Sequence, residues 1–141
     1  MAKSGPIVII EDDLDDQNIL EEAIRESGTT NEIIFFSNGP DAFQFLKSTK
    51  SQPFVILSDI NLPVQTGIEF KKQVDHDPEL RQKSIPFIFF STSVDKEAVT
   101  TAYSEMTVQG FFKKSNTYEE LKSLIRLIMS YWKICKHPNS Q

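Results

Sequence analysis

The sequence predicts an open α/β domain: a five-stranded parallel sheet, doubly wound, in a (βα)5 three-layer sandwich. Two observations predict it. Short β-branched or aromatic runs alternate five times with segments of helical period. Three of those runs, IVII, FVIL and FIFF, are apolar at every position, as strands covered by helices on both faces are. Such alternation gives right-handed βαβ crossovers and helices on both sides of the sheet.

Taken in order, the first strand is expected from Ile7 to Ile10, where every residue is β-branched. A helix follows from Leu14 to Ser27, with Asp13, Asp15 and Asp16 as cap and first-turn acids favoured by its dipole. The second strand reads from Glu32 to Phe36 and its helix from Pro40 to Lys47. The third strand, Phe54 to Ser58, leads to a helix from Gly67 to Val74, after which His76 reads as a solvated residue. The fourth, Phe87 to Phe90, is followed by Thr92 and Ser93, suited to cap a helix from Asp95 to Glu105. The fifth, Gly110 to Phe112, precedes a helix from Tyr118 to about Trp132 whose apolar stripe has the spacing of a face laid on a sheet.

At 141 residues the chain suits one domain with one core, its body about 7–132 and its C-terminal extension or tail 133–141. With 39% hydrophobic and 25% charged residues it reads as a soluble globular protein. No apolar run approaches the roughly 20 residues of a membrane span, and the apolar stretch in MAKSGPIVII is too short for a signal peptide. A cytoplasmic location is therefore expected. The single cysteine, Cys135, has no partner for an internal disulfide or a zinc site, which fits a reducing compartment. A net charge of -5 argues against a nucleic-acid surface.

In open parallel sheets ligands bind beyond the carboxyl ends of the strands, where the strand order reverses. Those ends carry Glu11-Asp12-Asp13, Ser58-Asp59, Ser91-Thr92 and Lys113-Lys114. Converging carboxylates repel and raise one another's pKa unless a cation is present. A hard divalent ion resolves the conflict, and Mg²⁺ with one or two carboxylates plus phosphate oxygens is the common case. The acidic cluster, beside a strand-end hydroxyl and ammonium, is thus a candidate Mg²⁺ site that works together with a phosphoryl group. Strand alternation selects Lys114 over Lys113 as the inward lysine.

These residues, the acidic pair after the first strand, SDINLP with its following TG, FFSTS and GFFKKS, together resemble the receiver domain of two-component response regulators, from about Ile7 to about Trp132. The resemblance implies the flavodoxin-like fold of stand-alone, chemotaxis-regulator-like receivers. It makes Asp59 the phosphoacceptor, taking a phosphoryl group from a sensor histidine kinase or a histidine phosphotransfer protein. Asp12 and Asp59 would ligate Mg²⁺, or Mn²⁺ in its place, with Glu11 bound directly or through a water and Asn61 lending its backbone carbonyl. Lys114 would pair with a phosphoryl oxygen, Ser91 would hydrogen-bond another, and Phe111 would be the switching aromatic, though its position also suits ordinary core. Such a domain is no enzyme in the usual sense, since it catalyses only its own phosphorylation and dephosphorylation. The EDDLDD opening, the FSTS run and the absence of proline after Lys114 look most like receivers that serve phytochrome-type sensor kinases.

Alternatives are weighed by residue. A pseudo-receiver, a pure protein-interaction module, would keep the fold without phosphorylation. A phosphatase of the haloacid dehalogenase type needs a second aspartate two residues after the nucleophile, where Asn61 stands. A dinucleotide site lacks its GxGxxG after the first strand. Because Ser115 follows Lys114, a trans bond is expected there. No output domain is expected after the last helix, so a signal would leave through a surface of this domain. Tyr131 and Trp132 are candidates for contact with a partner or a second copy, a homodimer.

Overall fold

The computed structural model describes residues 2–91, 96–105, 108–114 and 117–136. The five apolar runs form five strands: β1 Ile7–Ile10, β2 Ile33–Phe36, β3 Val55–Ser58, β4 Phe87–Ser91 and β5 Gly110–Lys113. All pair in parallel in the order β2-β1-β3-β4-β5. β1, β3 and β4 are buried at every position, whereas β2 is half-buried throughout and β5 grades to exposed. The three runs expected to be covered on both faces are the interior strands, but β2, IIFF, is equally apolar at the sheet edge, so apolarity alone does not mark an interior strand.

Strand alternation divides the core in two. On one face Ile7, Ile9, Val55, Leu57, Ile88 and Phe90 pack under α1 (Leu14–Glu26) and α6 (Tyr118–Ile134). On the other, Val8, Ile10, Ile56, Phe87 and Phe89 lie under α2 (Gly39–Ser48), α3 (Gly67–His76), α4 (Pro78–Lys83) and α5 (Lys96–Glu105). Since β2 joins β1 on one side and β3 joins it on the other, the strand order reverses between β1 and β3. That places the crevice at the ends of these two strands.

The helix caps explain most boundaries. Asp13 caps α1, its side chain accepting from the Asp16 N–H at 3.1 Å. Thr66 and Glu69 form a reciprocal capping box at α3. α3 runs two residues past Val74, closing at exposed His76, and α6 runs two past Trp132. α4 was not expected from the sequence. Its signals are local: Asp77 caps it by accepting from the Leu80 N–H at 3.0 Å, Pro78 takes the first helical position, and Leu80 is its buried anchor. Thr92, Ser93, Asp95 and the Lys114–Ser115 bond lie outside the described residues, as does His137. Among the described residues no helix is long and apolar enough to cross a membrane.

α1 and α6 are tied at their rims. The Tyr118 hydroxyl donates to Glu26 Oε2 at 2.9 Å, and Lys122 Nζ lies 3.3 Å from the same oxygen. Partial burial, then the bond to Glu26 and the charges of Glu22, Glu26 and Glu119, push the Tyr118 phenol up to about 12. Unfolded tyrosine titrates near ~10, so this tie is intact below that pH and is lost as pH rises through about 12. A phenolate absorbance titration should show one group near 12 that disappears in Tyr118→Phe and falls in Glu26→Gln. An ordinary tyrosine titration at this position would show that the tie does not hold in solution.

Candidate functional site

Three strand ends build the site. Glu11 follows β1 directly, its N–H donating to the Phe36 carbonyl at 2.9 Å, which sets the turn out of the strand. Its side chain is buried, and Oε2 accepts from the Asp13 N–H at 3.2 Å. The Gln17 amide reaches back from α1 to the Glu11 carbonyl at 2.6 Å. Asp12, next in the chain, is exposed.

Asp59 follows β3. Its N–H donates to the Ile10 carbonyl at 3.0 Å, locking it beside the end of β1. Its carboxylate is 10% exposed, and Oδ1 accepts from the Ile60 N–H at 2.6 Å and the Asn61 N–H at 3.3 Å. Two amides thus fix one oxygen and leave the other aimed at the cleft. Gly67 stands against this turn: a Cβ there would lie 2.1 Å from the Asp59 carbonyl oxygen, and the Gly67 N–H donates to the Ile60 carbonyl at 2.8 Å. Only glycine permits that approach.

Lys114 follows β5, its N–H donating to the Ser91 carbonyl at 2.9 Å. Its ammonium donates to Glu11 Oε1, to Asp16 Oδ2 at 3.3 Å and to Asp59 Oδ2 at 3.5 Å. Three carboxylates, Glu11, Asp16 and Asp59, thus meet one ammonium. Glu11, Asp12 and Asp59 can each present one oxygen within 4.8 Å of the others. An all-oxygen, anionic donor set of this size suits a hard divalent cation.

Electrostatics agree with that charge balance. Burial raises the Glu11 carboxyl above its usual range and Asp59 adds to this, although the hydrogen bond and charge of Lys114 oppose it. For Lys114 burial pulls downward, yet its bond to Glu11 and the charges of Asp59, Glu11 and Asp16 outweigh it and hold the ammonium above the usual lysine value. One ammonium serving three acids stays charged. An acid sharing that ammonium with two others remains under-compensated.

The structure therefore brings together Glu11, Asp12, Asp59 and Lys114, as the sequence suggests. Asn61 is exposed and contributes its N–H to Asp59. Ser91 is fully buried at the end of β4, tied by its carbonyl to the Lys114 backbone. Phe111 is half-buried and packs on Phe89, with ring centroids 5.6 Å apart, among the apolar residues of the α2–α5 face. Two residues of the site were missed. Asp16 was read only as a first-turn acid, and Gln17 was not singled out. Asp16 lies one turn beyond Glu11-Asp12-Asp13, so acids three and four apart on a helix opening were the available signal.

A family model for the response regulator receiver domain matches residues 7–126. The response regulator Rcp1 of Synechocystis sp. is 29% identical over 131 residues, covering 89% of this chain and 87% of its own length. The solved structure of a phosphorylated cyanobacterial phytochrome response regulator, RcpA, superposes with a TM-score of 0.85 at 26% identity, over 96% of this chain and 98% of its own. The Mn²⁺-bound form of Rcp1 gives 0.81 at 26% identity, over 96% and 99%.

The Gly67 contact is testable through stability. Gly67→Ala forces backbone to move around Asp59, and overpacking of this kind costs about 1–3 kcal/mol. A urea titration should show the midpoint falling with an unchanged slope. An unaffected midpoint would mean that the loop relaxes freely and does not fix Asp59.

Proposed function

The chain belongs to the response regulator receiver domain family, and on that premise we propose that Asp59 accepts a phosphoryl group from the phosphohistidine of a sensor histidine kinase or a histidine phosphotransfer protein. The likeness to Rcp1 and to the phytochrome regulator RcpA supports a phytochrome-type kinase as the donor. The acyl phosphate then alters the surface that this single domain offers to its next partner. The observation that carries the reading is the Asp59 carboxylate itself: one oxygen is pinned by two backbone N–H groups and the other points toward Lys114.

In this reading Asp59 Oδ2 attacks phosphorus, the new O–P bond forms as the N–P bond breaks, and the histidine nitrogen leaves with its electron pair. Glu11, Asp12 and Asp59 would hold Mg²⁺, or Mn²⁺ as in the Rcp1 structure, with the Asn61 carbonyl as a further ligand. When bound, such an ion neutralises charge on the transferring oxygens. Lys114 adds a compact positive charge from the β5 side. Ser91 donates to a phosphoryl oxygen, and Phe111 follows the β4 end as it moves. No separate substrate is turned over: the domain promotes its own phosphorylation and, with water, its own dephosphorylation.

The partners are proteins, in the cytoplasm, rather than nucleic acid or membrane, in keeping with the net charge of -5. On α6 Leu127, Tyr131 and Ile134 stay exposed at 65, 58 and 83%, one stripe offered to a partner or a second copy, whereas Trp132 is half-buried against the core.

Intact mass after incubation with Mg²⁺ and acetyl phosphate tests the reading. Wild type should gain one phosphoryl group, and Asp59→Asn or chelated wild type none. A folded wild type that neither gains mass nor binds beryllofluoride would be a pseudo-receiver.

A further inference from the structure

An ammonium has three N–H donors, and three carboxylates meet that of Lys114: Glu11, Asp16 at 3.3 Å and Asp59 at 3.5 Å. Its donors are fully used before any phosphoryl group arrives. Bonding of the phosphoryl group to Asp59 Oδ2 releases the donor that oxygen held, and a second phosphoryl oxygen can reach Lys114 only by displacing Glu11 or Asp16.

The three differ in how readily they can be released. The Glu11 side chain is 3% exposed, so water has little access to replace the ammonium at its oxygens. Asp59 is the group that carries the phosphoryl. Asp16 is 41% exposed, so water can replace the ammonium at its oxygens at little cost. Its attachment is also independent of the strands, because its N–H is held by the Asp13 cap at the start of α1. It lies outside the trio of acids that can present oxygens to a metal.

We propose that Asp16 is a displaceable counter-ion of Lys114, holding the third donor of the ammonium while Asp59 is bare and yielding it to a phosphoryl oxygen once Asp59 is modified. This rests on the phosphoacceptor reading of Asp59. Asp16 is a positioning residue: it acts on the phosphoryl group only through Lys114, and as a competitor. Neutralising it frees a donor in advance and favours the modified state. Asp15, its exposed neighbour, is absent from the partners of Lys114. It is therefore the control for the same charge change one residue away.

The experiment compares beryllofluoride affinity at saturating Mg²⁺, by calorimetry, in wild type, Asp16→Asn and Asp15→Asn. Asp16→Asn should bind about two- to fivefold more tightly, the scale of one partly exposed ion pair, and Asp15→Asn about as wild type. In metal-free protein the Lys114 ε-methylene NMR signal should shift in Asp16→Asn and stay in place in Asp15→Asn. Equal or weaker binding by Asp16→Asn, or equal tightening by both variants, overturns the proposal while leaving the phosphoacceptor reading intact. Failure of wild type itself to bind beryllofluoride overturns both.

Discussion

The ammonium of Lys114 is what allows the ends of β1, β3 and β5 to carry their acids so close together. Without it, Glu11 and Asp59 would be two nearly buried carboxylates sharing one cleft, and like charges in such surroundings ionise only at considerable cost. A second buried lysine, with Arg81 as well as one acid in its surroundings, shows the opposite direction of shift from Lys114. Lys71 has a side chain 4% exposed and pairs with Asp75 at 2.8 Å, yet burial draws its pKa down despite that partner. Lys114, at 10% exposure, meets three carboxylates and is held above the usual value. Burial is similar in the two cases; the surrounding charge reverses the sign.

Holding charge in place requires backbone that does not relax. Asp59 is bonded to β1 through its N–H and to its own following turn through Oδ1, and Gly67 closes behind it with no room for a side chain. The loop between them also contains Val64, a β-branched residue at φ 71° and 89% exposed. A valine in the left-handed region is strained, and its own burial does nothing to offset that. The local strain is tolerated because the capped start of α3 and the Asp59 turn fix the loop at both ends. On the far side, the bond from the Lys114 N–H to the Ser91 carbonyl links β5 to β4, so the lysine and the hydroxyl share one backbone connection.

Much of this was legible in the sequence, for reasons that separate the parts that were from those that were not. IVII, FVIL and FIFF read as strands covered on both faces and are the interior ones, whereas the equally apolar IIFF of β2 lies at the edge, a place its residues alone do not reveal. Glu11, Asp12, Asp59 and Lys114 were visible because strand ends in a parallel sheet point to one edge, so order along the chain becomes neighbourhood in space. α4 was not visible: six residues carry too little periodicity, and only the Asp77-Pro78 start and the Leu80 anchor mark it. Asp16 was missed for a different reason. A first-turn acid is explained by the helix dipole alone, and nothing in one dimension shows that the turn lies over a lysine 98 residues away.

That last miss bears on how a sheet of this kind becomes responsive. The strands supply positions that cannot move far, since each is hydrogen-bonded on both sides or packed under helices. The helix α1 supplies a charge that can, because Asp16 reaches the same ammonium from a half-exposed first turn. A site whose acids were all buried would bind its lysine too firmly to release it, and one whose acids were all exposed would be screened to little effect. Glu11 and Asp16 stand on opposite sides of that balance, at 3% and 41% exposure, on one ammonium. The unequal burial of its partners makes the ion pair both stable and exchangeable.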